Sequence, residues 1–531
     1  MEDNFQGSAP PPPSIQMDSA VYSISHSAKD FYASVGTVDE TAVGGGGGGG
    51  VEASVADFRA RSNTPSTITV NSLPRIPSKS GLGNLISSVV DAETSLKNLM
   101  LDGDGDVQNS IRSAWVPSER TSGALAAIAS SVPASDFIGA DQLSKAGIMS
   151  DKLFVNPAFE LSMRFVGTIP PPLLSETPEQ MIASSDVRRL LAKGFYSSAA
   201  NVSAKLLYAF EQGYGRAGHV SKHTPQSLML WMYRIAALTM LEQVELAAKE
   251  LEAFGDLDHP DLYLEYYNQT STEKVHGSMV PFPLRLLHAR LPQRLGNPKA
   301  TLERLFIVKD KIETLLKNAS EGRLPPAVTS DLQPEFLRIW QRRRVTTLYH
   351  LVAAAVQCED FDAATGLLRL LLKLSPDRAA ELWHSLGLLY CHIGTPRMAK
   401  ICFAASEKEG KKSEYFTALH RALLTVCESS PVQAMDVYGQ MMKQFPRHPA
   451  VVNAIAIGHF YAGRMTEAMS FLESYVLGEP RIFLTEQSVR NLVAMYELQN
   501  IQVLERKLRL LSLMCQYIPD GHGVDVLKLA E

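Results

Sequence analysis

The sequence contains no apolar run long enough to cross a membrane. A spanning helix needs about 18 consecutive apolar residues, and no stretch of the 531 residues reaches that length. The first residues, MEDNFQGSAPPPP, also lack the basic and apolar regions of a signal peptide and the Arg-rich pattern of a transit peptide. We therefore expect neither a membrane-spanning helix nor a targeting peptide.

Cysteine is scarce and lacks the spacing of a disulfide framework or a metal site. The five residues, an odd number without a CxxC pair, are Cys358, Cys391, Cys402, Cys427 and Cys515. They lie in apolar, helix-like stretches, where a free thiol behaves as a small apolar side chain. We therefore expect a protein of the reducing cytoplasm.

Basic charge is not in excess, because the formal net charge is −5 at pH 7. Nucleic-acid binding needs a concentrated basic face, so we predict no nucleic-acid partner. The strongest basic cluster is Arg342, Arg343 and Arg344, with Arg338 one helical turn earlier. Such a run is typical of a solvated helix face, and the alternative is contact with an acidic partner or an anionic membrane surface.

Sequence motifs of catalysis are also missing, since the chain has no GxxxxGKS/T, HExxH or GxSxG. Residues 213–218 match GxGxxG, but a helix-like run precedes them where a dinucleotide site requires a strand. This context predicts a loop between helices. Asp102, Asp104 and Asp106 begin like a calcium loop that lacks its later glycine and glutamate. We predict a protein that is no enzyme, with no catalytic, cofactor-binding or metal-binding residue.

Composition divides the chain into three parts. Residues 1–150 contain runs of four prolines and seven glycines among Ser and Thr, and burial there cannot offset a backbone ordering cost of about 1–2 kcal/mol per residue. Residues 151–175 are more apolar, and residues 176–531 show helical apolar spacing. We predict a disordered low-complexity tail, an apolar lead-in segment packed against the front of the folded part, and a helical domain.

A short turn signal recurs in the helical domain. An oxygen-bearing side chain precedes a proline at Thr177-Pro178, Thr224-Pro225, Asn297-Pro298, Thr395-Pro396 and Ser430-Pro431. The first residue can cap free backbone N–H groups, and the proline fits the first helical position, where no N–H is needed. Five such junctions predict antiparallel helical hairpins.

A period of about 34 residues accompanies these turns. The stretch around residue 390 shows the tetratricopeptide pattern in Trp383, Leu386, Gly387, Tyr390, Ala399 and Phe403. The small residue that opens the second helix recurs in steps of 35, 35 and 34 at Ala364, Ala399, Ala434 and Ala468. A proline ends the second helix at Pro376, Pro446 and Pro480. We predict an all-α, tetratricopeptide-like α-solenoid, most regular over residues 345–485, with a long curved groove for protein ligands.

Less regular hairpins are predicted before the regular repeats, centred on Gly194, on Trp231 with Ala247, and on Gly296. Near the C-terminus, the side chains from Leu504 to Cys515 with spacing i, i+4, i+7 and i+11 share one helix face. The positions opposite are basic and include Lys507. We therefore predict a closing helix with a polar back.

Four residues of the regular repeats could also suggest chemistry: His384, Cys391, His392 and Cys402. They would fit a metal site or a Cys/His nucleophile pair by residue type. They offer no C-x2–4-C or H-x3–5-H half-site, from which structural zinc sites are often built. We interpret them as buried repeat residues.

Residues 253–305 interrupt the hairpins with a long loop rich in tyrosine and carboxylates. Tyrosine beside carboxylates suits a protein interface, because the ring supplies contact area and the polar tips supply direction. We predict partner binding by Asp261, Tyr263, Tyr266, Tyr267, Arg342 and Arg343. The alternative for the loop is that it folds back over its own solenoid.

The same stretch resembles the trafficking protein particle (TRAPP) complex subunit 12 family. The resemblance rests on FGDLDHPDLYLEYY, on GSMVPFPLRLLHARLPQRLGNP and on the order of the repeats through LYCHIG, and it covers about residues 175–531. It implies a non-enzymatic tetratricopeptide subunit that binds other TRAPP subunits. The assembly's core exchanges nucleotide on a Rab GTPase, in traffic between the endoplasmic reticulum and the Golgi and in autophagy. The implied location is cytoplasmic and peripheral at Golgi or ER–Golgi membranes.

Two other functions remain open from the residues alone. A cochaperone-type adaptor that clamps peptide carboxylates would need a basic, Asn-lined groove, and only Asn453 stands out in the repeat interior. An enzyme with a degenerate active site would need paired carboxylates or an activated nucleophile at a meaningful spacing, and we find neither pattern.

Overall fold

A computed structural model describes most of the chain beyond residue 112. The described residues are 96–97, 100, 111, 113–130, 143–167, 183–255, 257–268, 276–326, 328–410, 413–428, 431–520 and 524–529. Within these ranges the elements are helices, and the β pairing consists of two isolated bridges, Ile148 with Tyr214 and Tyr263 with Ser278. The predicted all-α class is confirmed.

Eight helical hairpins form the body of the described structure. Two helices precede them, α1 (Glu119–Ala129) and α2 (Pro157–Phe165). The hairpins are α3 (Ser184–Lys193) with α4 (Tyr196–Ala209), α5 (Pro225–Met240) with α6 (Val244–Glu252), α7 (Phe282–Arg294) with α8 (Pro298–Ser320), α9 (Gln333–Gln357) with α10 (Phe361–Leu374), α11 (Ala379–His392) with α12 (Pro396–Glu409), α13 (Glu414–Glu428) with α14 (Pro431–Gln444), α15 (Pro449–Tyr461) with α16 (Met465–Gly478), and α18 (Glu486–Gln499) with α19 (Val503–Tyr517). The short helix α17 (Pro480–Phe483) precedes the last hairpin.

The proline turn signals lie at helix starts. Helices α5, α8, α12 and α14 begin at the prolines of four of the five signals. The side chains of Thr224 and Asn297 accept hydrogen bonds from the N–H three residues later, at 3.1 and 3.2 Å. Thr395 instead donates to a carbonyl oxygen of α11 at 3.1 Å. Thr177, Pro178 and Ser430 lie outside the described residues.

Small residues allow the two helices of a hairpin to approach closely. The four alanines of the predicted period, Ala364, Ala399, Ala434 and Ala468, have no exposed surface. A Cβ on Gly387 would overlap the ring of Phe403, so α11 and α12 are as close as a glycine permits. The second helices end two residues before Pro376, Pro446 and Pro480, because proline lacks the N–H that would continue the helix.

The first hairpin touches the segment that follows the last hairpin. The backbone N–H and the Oγ of Ser197 in α4 donate to Oδ2 of Asp520 at 2.7 and 2.8 Å, across 323 positions of sequence. The turn at Gly194 lies against the Pro519 ring. The solenoid therefore closes on itself, and we call the contact of Gly194 and Ser197 with Pro519 and Asp520 the closure contact.

The lead-in segment spans this closure. Phe154 and Asn201 of α4 exchange two hydrogen bonds, at 2.9 and 2.8 Å. The Asn156 side chain donates to the carbonyl oxygen of Pro519. The Cys515 thiol donates to the carbonyl oxygen of Ala158 at 3.4 Å. Residues 151–167 thus pack against the first hairpin, and they also pack against the last helix.

The predicted face of the closing helix is wrong by about one position. In α19 Leu504 is 55% exposed, whereas Lys507 is 6% exposed and donates to Oε1 of Glu497 at 2.9 Å. The apolar residues of α2 pack on α19 together with those of residues 524–527. A polar back was expected for an open end, but here part of that back, at Lys507, is buried.

Candidate functional site

A segment before the hairpins packs against the loop between α6 and α7. We call residues 113–130 and 143–150 the N-terminal strap, and residues 253–281 the α6–α7 loop. The strap lies within the part predicted as a disordered tail, and that prediction differs from the structure for these residues. A few anchoring side chains hold the strap. The disorder prediction rested on the overall Ser- and Gly-rich composition of residues 1–150, which does not reveal individual anchors.

Asp258 joins the strap to the α6–α7 loop. Its Oδ2 accepts from the backbone N–H of Ser118 at 2.7 Å, and its carbonyl oxygen accepts from Oγ1 of Thr121 at 2.6 Å. The hydroxyl of Tyr263 donates to Oδ1 of the same residue. Burial raises the pKa of Tyr263 well above its usual value, so this hydroxyl stays a donor. Tyr263 therefore fixes the Asp258 side chain, which in turn binds the strap.

A second polar junction is buried between the strap and the loop. The Oγ of Ser144 lies 2.5 Å from Oδ2 of Asp261 and 2.6 Å from Nε2 of His223. All three side chains are buried. Burial lowers the pKa of His223 to about 4 and raises that of Asp261, although hydrogen bonds from Ser144 oppose the second shift. The imidazole is therefore neutral at physiological pH.

The proton arrangement follows from the hydrogen-bond partner of the other ring nitrogen, Nδ1. The amide Nε2 of Gln212 lies 3.3 Å from Nδ1 of His223, so Nδ1 accepts and the opposite ring N–H donates to the Ser144 hydroxyl. That hydroxyl donates in turn to Asp261. A nucleophilic serine would instead donate to the imidazole, so these residues tie the strap to the loop and do not form a triad.

Tyr267 extends this junction toward the surface. Its hydroxyl donates to the carbonyl oxygen of Asp261 and accepts from the backbone N–H of His223, both at 3.1 Å. Its ring packs edge-on against Tyr266 at 5.1 Å between centroids. Both tyrosines are partly exposed, and burial raises the pKa of Tyr267 to about 12.

Aromatic rings and guanidinium groups alternate where the strap meets α7 and α9. The Cζ of Arg285 lies 4.3 Å from the ring centroid of Trp115, and the Cζ of Arg343 lies 4.4 Å from that of Trp340. The two indole rings are 6.2 Å apart. Arg285 also donates to Oγ of Ser278 at 2.7 Å. Each such cation–π contact stabilises by roughly 2 kcal/mol when buried.

The structure thus separates the six predicted partner-binding residues. Asp261, Tyr263 and Arg343 are buried, where they hold the strap or the core of α7 and α9. Tyr266 and Tyr267 are partly exposed, and Arg342 is exposed. Partner binding by these residues stays a prediction. The loop does fold back over its own solenoid, and it also binds the strap, which we did not predict from Trp115 or Ser144.

Exposed apolar side chains surround the end of the strap. We call Met149, Leu153, Val155, Tyr208 and Tyr214 the apolar patch; each is exposed, and Tyr208 is 73% exposed. Backbone pairing places Ile148 beside Tyr214, and a Cβ on Gly213 would overlap the Tyr208 ring. The GxGxxG stretch is therefore a loop after α4, as predicted, and it brings the two tyrosines to the strap. Tyrosine is enriched at protein interfaces, so the two exposed tyrosines make this a candidate interaction site.

The chemistry-like residues of the regular repeats have separate partners. Nδ1 of His384 lies 2.8 Å from Nε2 of His420, whose Nδ1 lies 2.9 Å from Oε1 of Glu407. Burial lowers the pKa of His384 to about 3. His392 contacts the Phe361 ring, but it is exposed, so the prediction that it is buried is wrong. Across the described ranges, no three potential ligands converge as a metal ion would require. Asp102, Asp104 and Asp106 lie outside those ranges.

Comparison with known proteins identifies relatives over most of the chain. No family model matches it. It is similar to human trafficking protein particle complex subunit 12, with 30% identity over 430 residues, or 78% of this chain and 58% of that protein. The mouse protein of the same name is 29% identical over 433 residues, or 78% of this chain and 54% of that protein. The chain thus spans little more than half the length of these curated relatives, which confirm the resemblance.

Among the solved structures that match the chain, two have low similarity to it. One is the RpL4 assembly chaperone Acl4, residues 1–338, with 13% identity, a TM-score of 0.32, and coverage of 56% of this chain and 100% of that one. Another is the P58(IPK) TPR domain, with 11% identity, a TM-score of 0.17, and coverage of 65% and 96%. Among the described helices, none combines the length and apolar character that crossing a bilayer requires.

Proposed function

Because this chain is a relative of trafficking protein particle complex subunit 12, we propose that it is a non-enzymatic scaffold of a TRAPP-type vesicle-tethering complex. It binds other TRAPP subunits and supports assembly of a machine that exchanges guanine nucleotide on a Rab GTPase. It acts in ER–Golgi traffic and in autophagy. It is cytoplasmic, and its membrane contact at the Golgi is peripheral and made through the complex.

The similarity over 430 residues carries the proposal. The stacked hairpins also support a scaffold role, because such stacks offer an extended surface on which other proteins can dock. The buried junction of Ser144, His223 and Asp261 also favours a scaffold, since its hydrogen bonds are used to hold the strap.

The apolar patch is the contact that we assign to a neighbouring subunit. Interfaces are enriched in tyrosine, and a few such residues supply most of the binding free energy. Tyr208 and Tyr214 are exposed on the patch. The partly exposed Tyr266 and Tyr267 and the exposed Arg342 are further candidates.

A cochaperone-type peptide adaptor is less well supported. Asn453, the residue expected to line a carboxylate clamp, is buried, and its Oδ1 accepts from Nδ2 of Asn491 at 2.7 Å. It is therefore engaged inside the solenoid between α15 and α18.

Affinity purification from cells followed by mass spectrometry tests the proposal. We expect the wild-type chain to recover other TRAPP subunits. Tyr208→Ser should reduce that recovery, whereas Ile307→Ser, which changes an exposed residue of α8, should leave it unchanged. Recovery of heat-shock chaperones without tethering subunits would favour the cochaperone. Equal recovery by Tyr208→Ser would remove the patch as the contact and leave the complex assignment intact.

A further inference from the structure

Two cysteines occupy equivalent places in consecutive hairpins. Cys391 is the last residue but one of α11, and Cys427 is the last residue but one of α13. The Cys427 sulfur lies 4.0 Å from the carbonyl oxygen of Cys391, and each thiol affects the pKa of the other. The same two helices are joined earlier by the contact of His384 with His420. The sulfurs are therefore held near each other by helices in fixed register.

The two thiols have different environments. Cys427 is exposed and Cys391 is half-buried. When Cys427 is neutral, its thiol faces the Cys391 carbonyl oxygen. When it ionises, the Cys391 thiol donates to it, and this hydrogen bond lowers the pKa of Cys427 against the opposing effects of burial and Glu428. The same contact and burial raise the pKa of Cys391. A thiolate of lowered pKa on an accessible side chain is the form that reacts with oxidants.

A buried hydroxyl lies beside the pair. Tyr438 of α14 is 2% exposed, and its hydroxyl has no hydrogen-bond partner among the described residues. It interacts electrostatically with both Cys427 and Cys391. An unpaired buried donor is unfavourable, so the hydroxyl adds an unsatisfied polar group to the surroundings of the pair.

We propose that Cys391 and Cys427 form a reversible oxidation site for hydroperoxides, in which Cys427 reacts first and Cys391 closes a disulfide. The Cys427 thiolate attacks one peroxide oxygen, so that an S–O bond forms, the O–O bond breaks, and the leaving oxygen takes a proton to become water or an alcohol. Cys391 then loses its proton and attacks the sulfenic sulfur. An S–S bond forms, the S–O bond breaks, and the hydroxyl leaves as water. The two thiols lose two electrons, and the peroxide gains them.

The disulfide would tie α11 to α13 and so fix one hairpin against the next. The remaining cysteines are less suited to the first step. Burial raises the pKa of Cys402 to about 11 and also raises those of Cys358 and Cys515. Cys402 and Cys515 are, in addition, buried.

Labelling of the full chain with iodoacetamide between pH 6 and 9 tests the first thiol. We expect Cys427 to label faster than Cys358 at pH 7, with a midpoint below the ordinary thiol value of about 8.5. Labelling of Cys427 no faster than that of Cys358 would overturn the assignment.

Oxidation with hydrogen peroxide tests the pair. We expect the five free thiols to fall to three, the tryptic peptides 379–397 and 422–443 to be linked, and dithiothreitol to reverse both changes. Cys391→Ser should stop at a sulfenic acid that dimedone traps on Cys427. Cys427→Ser should keep Cys391 reduced, and Cys358→Ser should behave as wild type. A bond from Cys391 to Cys402, or no loss of thiols in the wild-type chain, would refute the proposal.

Discussion

The closure contact gives a stability that depends on pH through one carboxyl group. Burial raises the pKa of Asp520 from 3.8 to about 6, although hydrogen bonds from Ser197 and from the Tyr196 backbone oppose this shift. The folded chain therefore binds the proton more tightly than the open chain does. The carboxyl's contribution is fully present below about pH 4 and is lost as the pH rises through about 6. The loss is about 3 kcal/mol, since one pKa unit corresponds to about 1.4 kcal/mol.

Hydrogen exchange followed by mass spectrometry measures this contribution locally. In peptides covering α3, α4 and the end of α19, we expect the opening equilibrium to rise about a hundredfold from pH 4 to pH 7, after correction for intrinsic exchange. Asp520→Asn should abolish that dependence, because the amide does not titrate. Asp525→Asn, at an exposed position nearby, should keep it.

The outcome that would refute the reasoning is specific. Protection of α4 that is unchanged or increased between pH 4 and pH 7 would show that the Asp520 carboxylate is not penalised by burial. The same pH dependence in Asp520→Asn would assign the effect to another group. The first outcome would mean that the hydrogen bonds from Ser197 to the carboxylate outweigh the effect of its burial.

Two further changes test the packing. Gly387→Ala should lower the free energy of unfolding by about 1–3 kcal/mol, because its Cβ overlaps the Phe403 ring; Gly366→Ala, with open space around its Cβ, should raise it by about 0.5–1 kcal/mol, and thermal melts that fail to separate the two would contradict this. Arg285→Ala should speed proteolysis within the strap, because it removes the contact with Trp115; unchanged cleavage would show that the strap is held elsewhere.

Local signals in the sequence predicted the hairpins well. The prolines that open α5, α8, α12 and α14 act within a few residues, through capping and a fixed backbone angle. The alanines at steps of 34 and 35 predicted where helices approach, because close packing tolerates only small side chains at those points. Such signals depend on neighbours along the chain, and the sequence displays them directly.

The strap and the closure contact could not be predicted in this way. Ser144 meets Asp261 across 117 positions, and Ser197 meets Asp520 across 323. The sequence alone does not show whether a serine or an aspartate at these positions lies in a solvated loop or in a buried junction. For this reason we interpreted Asp261 and Tyr263, which lie in a polar loop, as part of an interface with a partner. In the structure they bind the chain's own N-terminal strap.

The same long-range contacts explain the error in α19. A helix at an open end should turn charged residues to water, and that expectation set the predicted face. Lys507 is instead buried and paired with Glu497, because residues 524–527 and α2 cover the side that an open end would leave wet.

Closure also decides how the chain can be divided. In an open array of hairpins, removing the terminal unit exposes one interface and leaves the others intact. Here a deletion that begins at α18 would strip the covering from α2 and α4 at the other end of the sequence, through the loss of Cys515 and Asp520. Fragments trimmed at hairpin boundaries are therefore poor substitutes for the whole, and a stable truncation must keep residues 151–167 together with the last hairpin.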